Sequence, residues 1–146
     1  MFGYDNGGSG SASGSSVIII GPNGSKYTWT YISELVTIAA AATTLSAANL
    51  IPANANILAV TGRVTTVIPT AVTFSVGITG DATLFGSGIS VAANTTFGTF
   101  DSAVLLSQFM NASATQILIT PSSSPAAATG RVRLVVYYAQ LTAPTS

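Results

Sequence analysis

The side chains of this 146-residue chain that can transfer protons, hold cations or attack a carbonyl are few. They are the carboxylates Asp5, Glu34, Asp81 and Asp101 and the cations Lys26, Arg63, Arg131 and Arg133, with no His and no Cys. Two carboxylates converging at about 5–9.5 Å in a cleft would cleave a glycoside. No spacing here brings two of the four together, and the expected roles are local: Asp81 in a turn, Asp101 capping or pairing with an arginine. Ser and Thr are abundant, but without His or Cys only Lys26 remains as an amine base for a hydroxyl nucleophile. Scattered acids lacking His and Cys do not form a zinc ligand set, and nothing accompanies Asp81 that would build a calcium site. The expectation is a protein without catalytic residues, metal or cofactor.

One segment imitates a nucleotide site. Val17-Ile18-Ile19-Ile20-Gly21-Pro22-Asn23-Gly24-Ser25-Lys26 is an apolar run, a Gly-containing turn and a lysine. A phosphate cradle needs Gly-Lys-Ser/Thr opening a helix whose first amides face the phosphates. Here Ser25 precedes Lys26, and Tyr27-Thr28-Trp29-Thr30-Tyr31 follows as an alternating strand. The segment therefore reads as a β-hairpin.

The remaining candidates are contact residues. Tyr27, Trp29 and Tyr31 share one face of that strand and, with Tyr137, can cover a neighbouring subunit or stack on a sugar ring. Arg131 and Arg133 share a face of the last strand two positions apart, where like charges call for a carboxylate from another subunit or for solvent. The Gly/Ser-rich segment 1–16 has linker composition, with Phe2 and Tyr4 as its apolar anchors, and reads as a docking arm.

The elements that position these residues are strands. Val72, Phe74, Val76 and Ile78 alternate with Thr73, Ser75, Gly77 and Thr79, the pattern of a half-buried strand. Residues 57–68 predict one long strand with Leu58, Val60, Val64 and Ile68 on a common face and Thr61, Arg63 and Thr65 on the other. Short β-rich runs follow at Leu84-Phe85, 89–92, 97–100, 104–106, 116–120 and 131–138, separated by Gly, Asn, Ser or Pro. Residues 34–38 read as the next β-like run after the hairpin, and 39–48 fit a short helix, coil or a short strand equally well. About nine strands with almost no helix predict an all-β antiparallel sandwich or jelly roll, a single domain over 17–146 behind the arm 1–16. Thr-Gly-Arg-Val occurs at 61–64 and again at 129–132, with no similarity around the two copies.

Composition narrows the function class. Charged residues make up 5% of the chain, against about one quarter in an ordinary soluble domain, and the net charge is zero. No field draws such a chain to phosphate backbones or anionic lipid, so neither nucleic acid nor membrane is an expected partner. The start lacks a signal-peptide pattern, and the apolar runs fall short of the ~20 residues that span a bilayer. A 48% apolar chain of this kind is expected to hide its surface against copies of itself or other subunits.

A resemblance adds to this. Leu50-Ile51-Pro52 leading into Ile57–Val64, then Phe74–Ile78 with Gly80-Asp81 and Phe85-Gly86, then Gly130-Arg131-Val132-Arg133 running to Tyr137-Tyr138, resemble the C-terminal β-modules of phage tail-fibre and head-spike proteins. The resemblance covers about 50–138. It implies a non-enzymatic virion surface domain, generally trimeric, assembled in the bacterial cytoplasm. With a Gly/Ser arm and one hairpin in place of a fibrous shaft, and with Met1 as its first residue, the chain is expected to be a capsid decoration or cement subunit docked through Phe2 and Tyr4. The alternative is a fibre or spike knob that binds a host receptor or surface polysaccharide.

Overall fold

The computed structural model describes residues 12–13, 16–98 and 112–145. Ten strands follow one another: β1 (Ala12–Ser13), β2 (Val17–Ile20), β3 (Lys26–Thr37), β4 (Thr44–Leu45), β5 (Asn56–Thr66), β6 (Thr73–Ile78), β7 (Asp81–Ser90), β8 (Thr96–Gly98), β9 (Leu118–Pro121) and β10 (Arg131–Thr142). The larger sheet has the order β1-β3-β10-β5-β8, with β2 also on β3, and the smaller one β4-β9-β6-β7. Every pairing between these strands is antiparallel. The molecule is the all-β antiparallel sandwich that the strand spacing predicts.

The core forms where the alternating apolar faces of the two sheets meet. Val132, Leu134, Val136 and Tyr138 of β10 lie beside Val36 of β3 and Val60 and Val64 of β5, and they face Phe74 and Val76 of β6 and Ile119 of β9. Leu50, Ile51, Ile68 and Ile117 close the sandwich from the connecting segments. Phe97 of β8 caps this layer edge-on to Phe74, with ring centroids 5.6 Å apart. Gly62 in β5 makes room for it, because a Cβ there would meet both the Phe97 ring and the Arg133 carbonyl.

Several sequence expectations change in detail. Residues 34–38 are not a separate run, because β3 continues unbroken through Thr37. Segment 39–48 takes the short-strand alternative, with β4 at Thr44–Leu45, and forms no helix. Its hydroxyls bind backbone instead: Thr44 Oγ1 accepts from the Ala39 amide at 2.9 Å and Ser46 Oγ from the Ile117 amide at 2.8 Å. In β5 the expected common face is broken at Leu58. Val60 pairs with Val136 and Ala59 with Tyr137, but Ile57 pairs with Tyr138, so Leu58 is the extra residue of a bulge. Ile57 therefore joins Val60 in the core, and Leu58 drops out of the alternation. Val72 precedes β6 and is 75% exposed. Leu84-Phe85 and Ile89 belong to one strand, β7, and Gln116 stands ahead of β9. The run at 104–106 lies outside the described residues.

The hairpin expected at 17–31 is present. β2 pairs with β3 from Val17↔Trp29 to Ile20↔Lys26. The turn between them places Asn23 and Gly24 at positive φ and is closed by the Gly21 amide donating to the Ser25 carbonyl at 2.9 Å. The two Thr-Gly-Arg-Val copies end up next to each other, Val64 opposite Val132 on adjacent strands.

Candidate functional site

On β3 and β10 even-numbered side chains face the core, so odd-numbered ones must face outward. The registers align them in rows across the larger sheet. At one end Ile19, Tyr27 and Leu141 form a row, followed by Val17, Trp29 and Ala139. Next come Tyr31, Tyr137 and Ala59, then Ser33, Val135 and Thr61. At the far end Leu35, Arg133 and Arg63 lie side by side, with Thr37 and Arg131 beyond them.

This face is apolar and open to water. Trp29 is 47% exposed, Tyr137 40% and Leu141 72%, and Tyr31 and Leu35 are also exposed. The rings interlock along it: Tyr27 meets Trp29 edge-on at 5.7 Å, and Tyr31 lies tilted against Tyr137 at 5.8 Å. Ile19, Tyr27 and Leu141 line an open depression together with Gly21, Ser25, Lys26 and Thr142.

β2 adds a second apolar surface. All four of its side chains are 55–70% exposed, so Ile18 and Ile20 are open on the reverse side of the sheet as well. Among the described residues β2 pairs only with β3, leaving its other edge without a strand. An apolar edge strand with no neighbour among the described residues can template another strand.

The three arginines gather at the end of the face opposite the aromatic rows, while Lys26 stands at the aromatic end. Arg63 and Arg133 are directly paired across β5 and β10, a like-charge juxtaposition that costs stability. Their partners are neutral: Arg63 Nη2 donates to Asn94 Oδ1 at 2.7 Å, and Arg133 Nη1 to Ser33 Oγ at 3.4 Å. The described carboxylates are engaged elsewhere. Glu34 accepts from the Ala47 amide at 2.9 and 3.1 Å, and Asp81 Oδ1, at the first residue of β7 just past the turn, accepts from the Thr83 amide and hydroxyl, both at 3.1 Å.

The structure thus brings Tyr27, Trp29, Tyr31, Tyr137, Arg131 and Arg133 onto one surface. Tyr138, the neighbour of Tyr137, points into the core, where burial raises its phenol above the ordinary value of 10.0. Phe2, Tyr4, Asp5 and Asp101 lie outside the described residues. Sequence reasoning missed Val17, Ile19, Leu35, Arg63 and Leu141 as parts of this face. The parity of β3 was a usable signal for Leu35; the others required the pairing of β2, β5 and β10. Among the described residues no three His, Cys, Asp or Glu side chains gather as a metal site. None of their helices is long and apolar enough to cross a membrane.

No protein-family model matches the chain, and no curated protein does. Among solved structures, the chain is similar to one from the "Cyanophage Pam1 capsid asymmetric unit". The identity is 20%, the alignment covers 94% of this chain and 91% of that one, and the TM-score is 0.47. A likeness of that depth carries no argument about function, which rests on the surface of the chain itself.

Proposed function

We propose that this chain is a non-enzymatic structural subunit of a bacteriophage virion, an oligomeric decoration or cement protein on a larger shell or tail. The observation that carries the reading is the outward face of the larger sheet, with its aromatic and aliphatic rows exposed on a chain that is 5% charged. Apolar patches on ordinary monomers reach about 300–600 Å², and larger ones mark interaction sites. Covering such a face gains roughly 25 cal/mol per Å² removed from water, and repeated copies on a lattice compound that gain. The resemblance of 50–138 to phage fibre and spike modules supports the virion as the place where this happens.

Anchoring is assigned to the arm 1–16 through Phe2 and Tyr4. β1 and β2 both run along the outer edge of β3, so a segment arriving there from the arm meets the open side of β2. A strand from a neighbouring subunit added at that edge would gain main-chain hydrogen bonds and apolar cover together. Threefold symmetry is what the resemblance implies; solution mass decides the order of assembly.

The test is attachment. Mass spectrometry of purified particles should find the chain in the virion, and a variant lacking residues 1–16 should remain a folded oligomer that no longer binds particles. Absence from the particles overturns the reading, and undiminished attachment of the shortened chain overturns the anchor.

A second reading, a knob that binds a host polysaccharide, draws on the exposure of Trp29 and Tyr137. Sugar sites are concave and set a few converging polar groups beside their rings. Here the rings stand on a sheet face with Ala139 beside Trp29 and Ala59 beside Tyr137. Loss of polysaccharide retention in Trp29→Ala and Tyr137→Ala would support the knob; no retention of the unaltered chain would end it.

A further inference from the structure

We infer that the outward face of the larger sheet packs against the same face of a second copy, with the strands of the two copies running antiparallel across the contact. The inference rests on the reading of the chain as a self-assembling subunit and adds the surface used and its orientation.

Three observations choose the occupant. The first is area. Seven large apolar side chains are exposed on this face, with Tyr27 and Val135 half-buried among them. At roughly 100 Å² each for the seven and less for the other two, one copy offers on the order of 800 Å². That matches the ~800 Å² per partner of a standard stable interface.

The second is self-complementary chemistry. Aromatic rows occupy one end of the face and all three arginines the other, and the Leu35 row stands six residues from the Trp29 row, ~20 Å along the strand. A twofold axis between the sheets, crossing β3 at Ile32 and β10 at Val136, exchanges position 35 with 29 and 37 with 27. Each copy's Arg133 and Arg131 then come over the Trp29 and Tyr27 rows of the other. A guanidinium within ~6 Å of a Trp or Tyr ring is attracted by the ring face, most strongly once water is excluded.

The third is exclusion of the other orientation. Packing with strands parallel lays the arginine rows of both copies over one another, when Arg63 and Arg133 already face each other within one chain. The antiparallel arrangement separates the two clusters by ~20 Å, about two Debye lengths at 0.1 M salt. Face-to-face sheets ~10 Å apart with nearly aligned strands are the ordinary geometry of β-sandwiches, so no new packing mode is required.

The experiment uses the full chain, which contains no Cys and accepts single labels without interference. Nitroxides on Ser33→Cys and on Thr37→Cys are measured separately by electron paramagnetic resonance, alongside solution mass by light scattering. The antiparallel pair puts equivalent backbone positions about 12 Å apart at 33 and about 35 Å apart at 37. It also requires an even number of copies, and Trp29→Ala should raise the dissociation constant roughly tenfold or more while the fold, followed by circular dichroism, is kept. Similar distances at both positions, or a strict trimer, would overturn this pairing and leave the structural-subunit reading intact. A monomer that still binds particles would overturn the pairing and the oligomeric part of the reading but leave the virion role; a monomer that does not would overturn all three.

Discussion

Removing two buried hydroxyls from this molecule should move its stability in opposite directions. Ser46 is 3% exposed, and its Oγ accepts from the Ile117 amide at 2.8 Å. The neighbouring contacts, Ser46 amide to Ile117 carbonyl at 2.9 Å and Gln116 Nε2 to Ser46 carbonyl at 2.7 Å, use main-chain atoms and survive in Ser46→Ala. The hydroxyl also donates to the carbonyl of the exposed Ala47 at 3.2 Å, where water can replace it, so the substitution's main loss is the partner of the buried Ile117 N–H, at a cost of about 1–3 kcal/mol. With an unfolding entropy near 2.1 cal/mol/K per residue, a chain of this length loses about 3 °C of Tm per kcal/mol, so the drop is about 3–10 °C. Thr120 supplies the contrast, since its Oγ1 is buried without a hydrogen-bond partner. Thr120→Val keeps the shape and deletes only that cost, so Tm stays level or rises by up to about 3 °C. Calorimetry and urea unfolding at one fixed protomer concentration measure both, because association shifts apparent stability. A Ser46→Ala variant within 0.5 kcal/mol of the parent, or a Thr120→Val variant as damaged as Ser46→Ala, would refute the hydrogen-bond argument.

Two further outcomes are expected. Gly62→Ala should destabilise by about 1–3 kcal/mol in denaturant titration, since its Cβ has to displace the Phe97 ring and the Arg133 carbonyl. The buried Tyr138 phenol has its pKa raised above 10.0, so the folded state holds that proton more tightly than the unfolded chain. Its contribution is complete below pH 10 and is lost as pH rises through the folded-state value; Tyr138→Phe should remove that part of the alkaline decline in unfolding free energy.

Local sequence was informative where alternation is strict and turn chemistry is unambiguous. Thr73–Ile78, the hairpin around Gly21–Ser25 and the shared face of Tyr27, Trp29 and Tyr31 could be read because each depends only on residues a few positions apart. Leu58 could not, since a bulge depends on which strand lies alongside and where its side chains must point. The exposure of Val17–Ile20 was hidden for the same reason. Four β-branched or aliphatic residues in a row read as a buried strand, yet among the described residues β2 is an edge with no sheet over it. Arg131 and Arg133 were visible as a same-face pair, whereas Arg63 joins them only through the β5–β10 register, 70 residues away from Arg133 in the chain. The hydroxyls that keep 39–48 from becoming a helix act partly through Ile117, which is equally remote.

Among the described residues, the smaller sheet leaves the end formed by β2, the first residues of β3 and the last of β10 without cover on its inner side, as the exposure of Ile18 and Ile20 records. Backbone hydrogen bonds there have little packing to shield them, and such segments open at a fraction of the global unfolding cost. The sandwich can therefore complete itself first and the uncovered ribbon firm up last, on contact. On the proposed role as a subunit, amide exchange along Val17–Ile20 should be rapid in the lone chain and slow once it is assembled, which would make this ribbon a clock for the moment of incorporation.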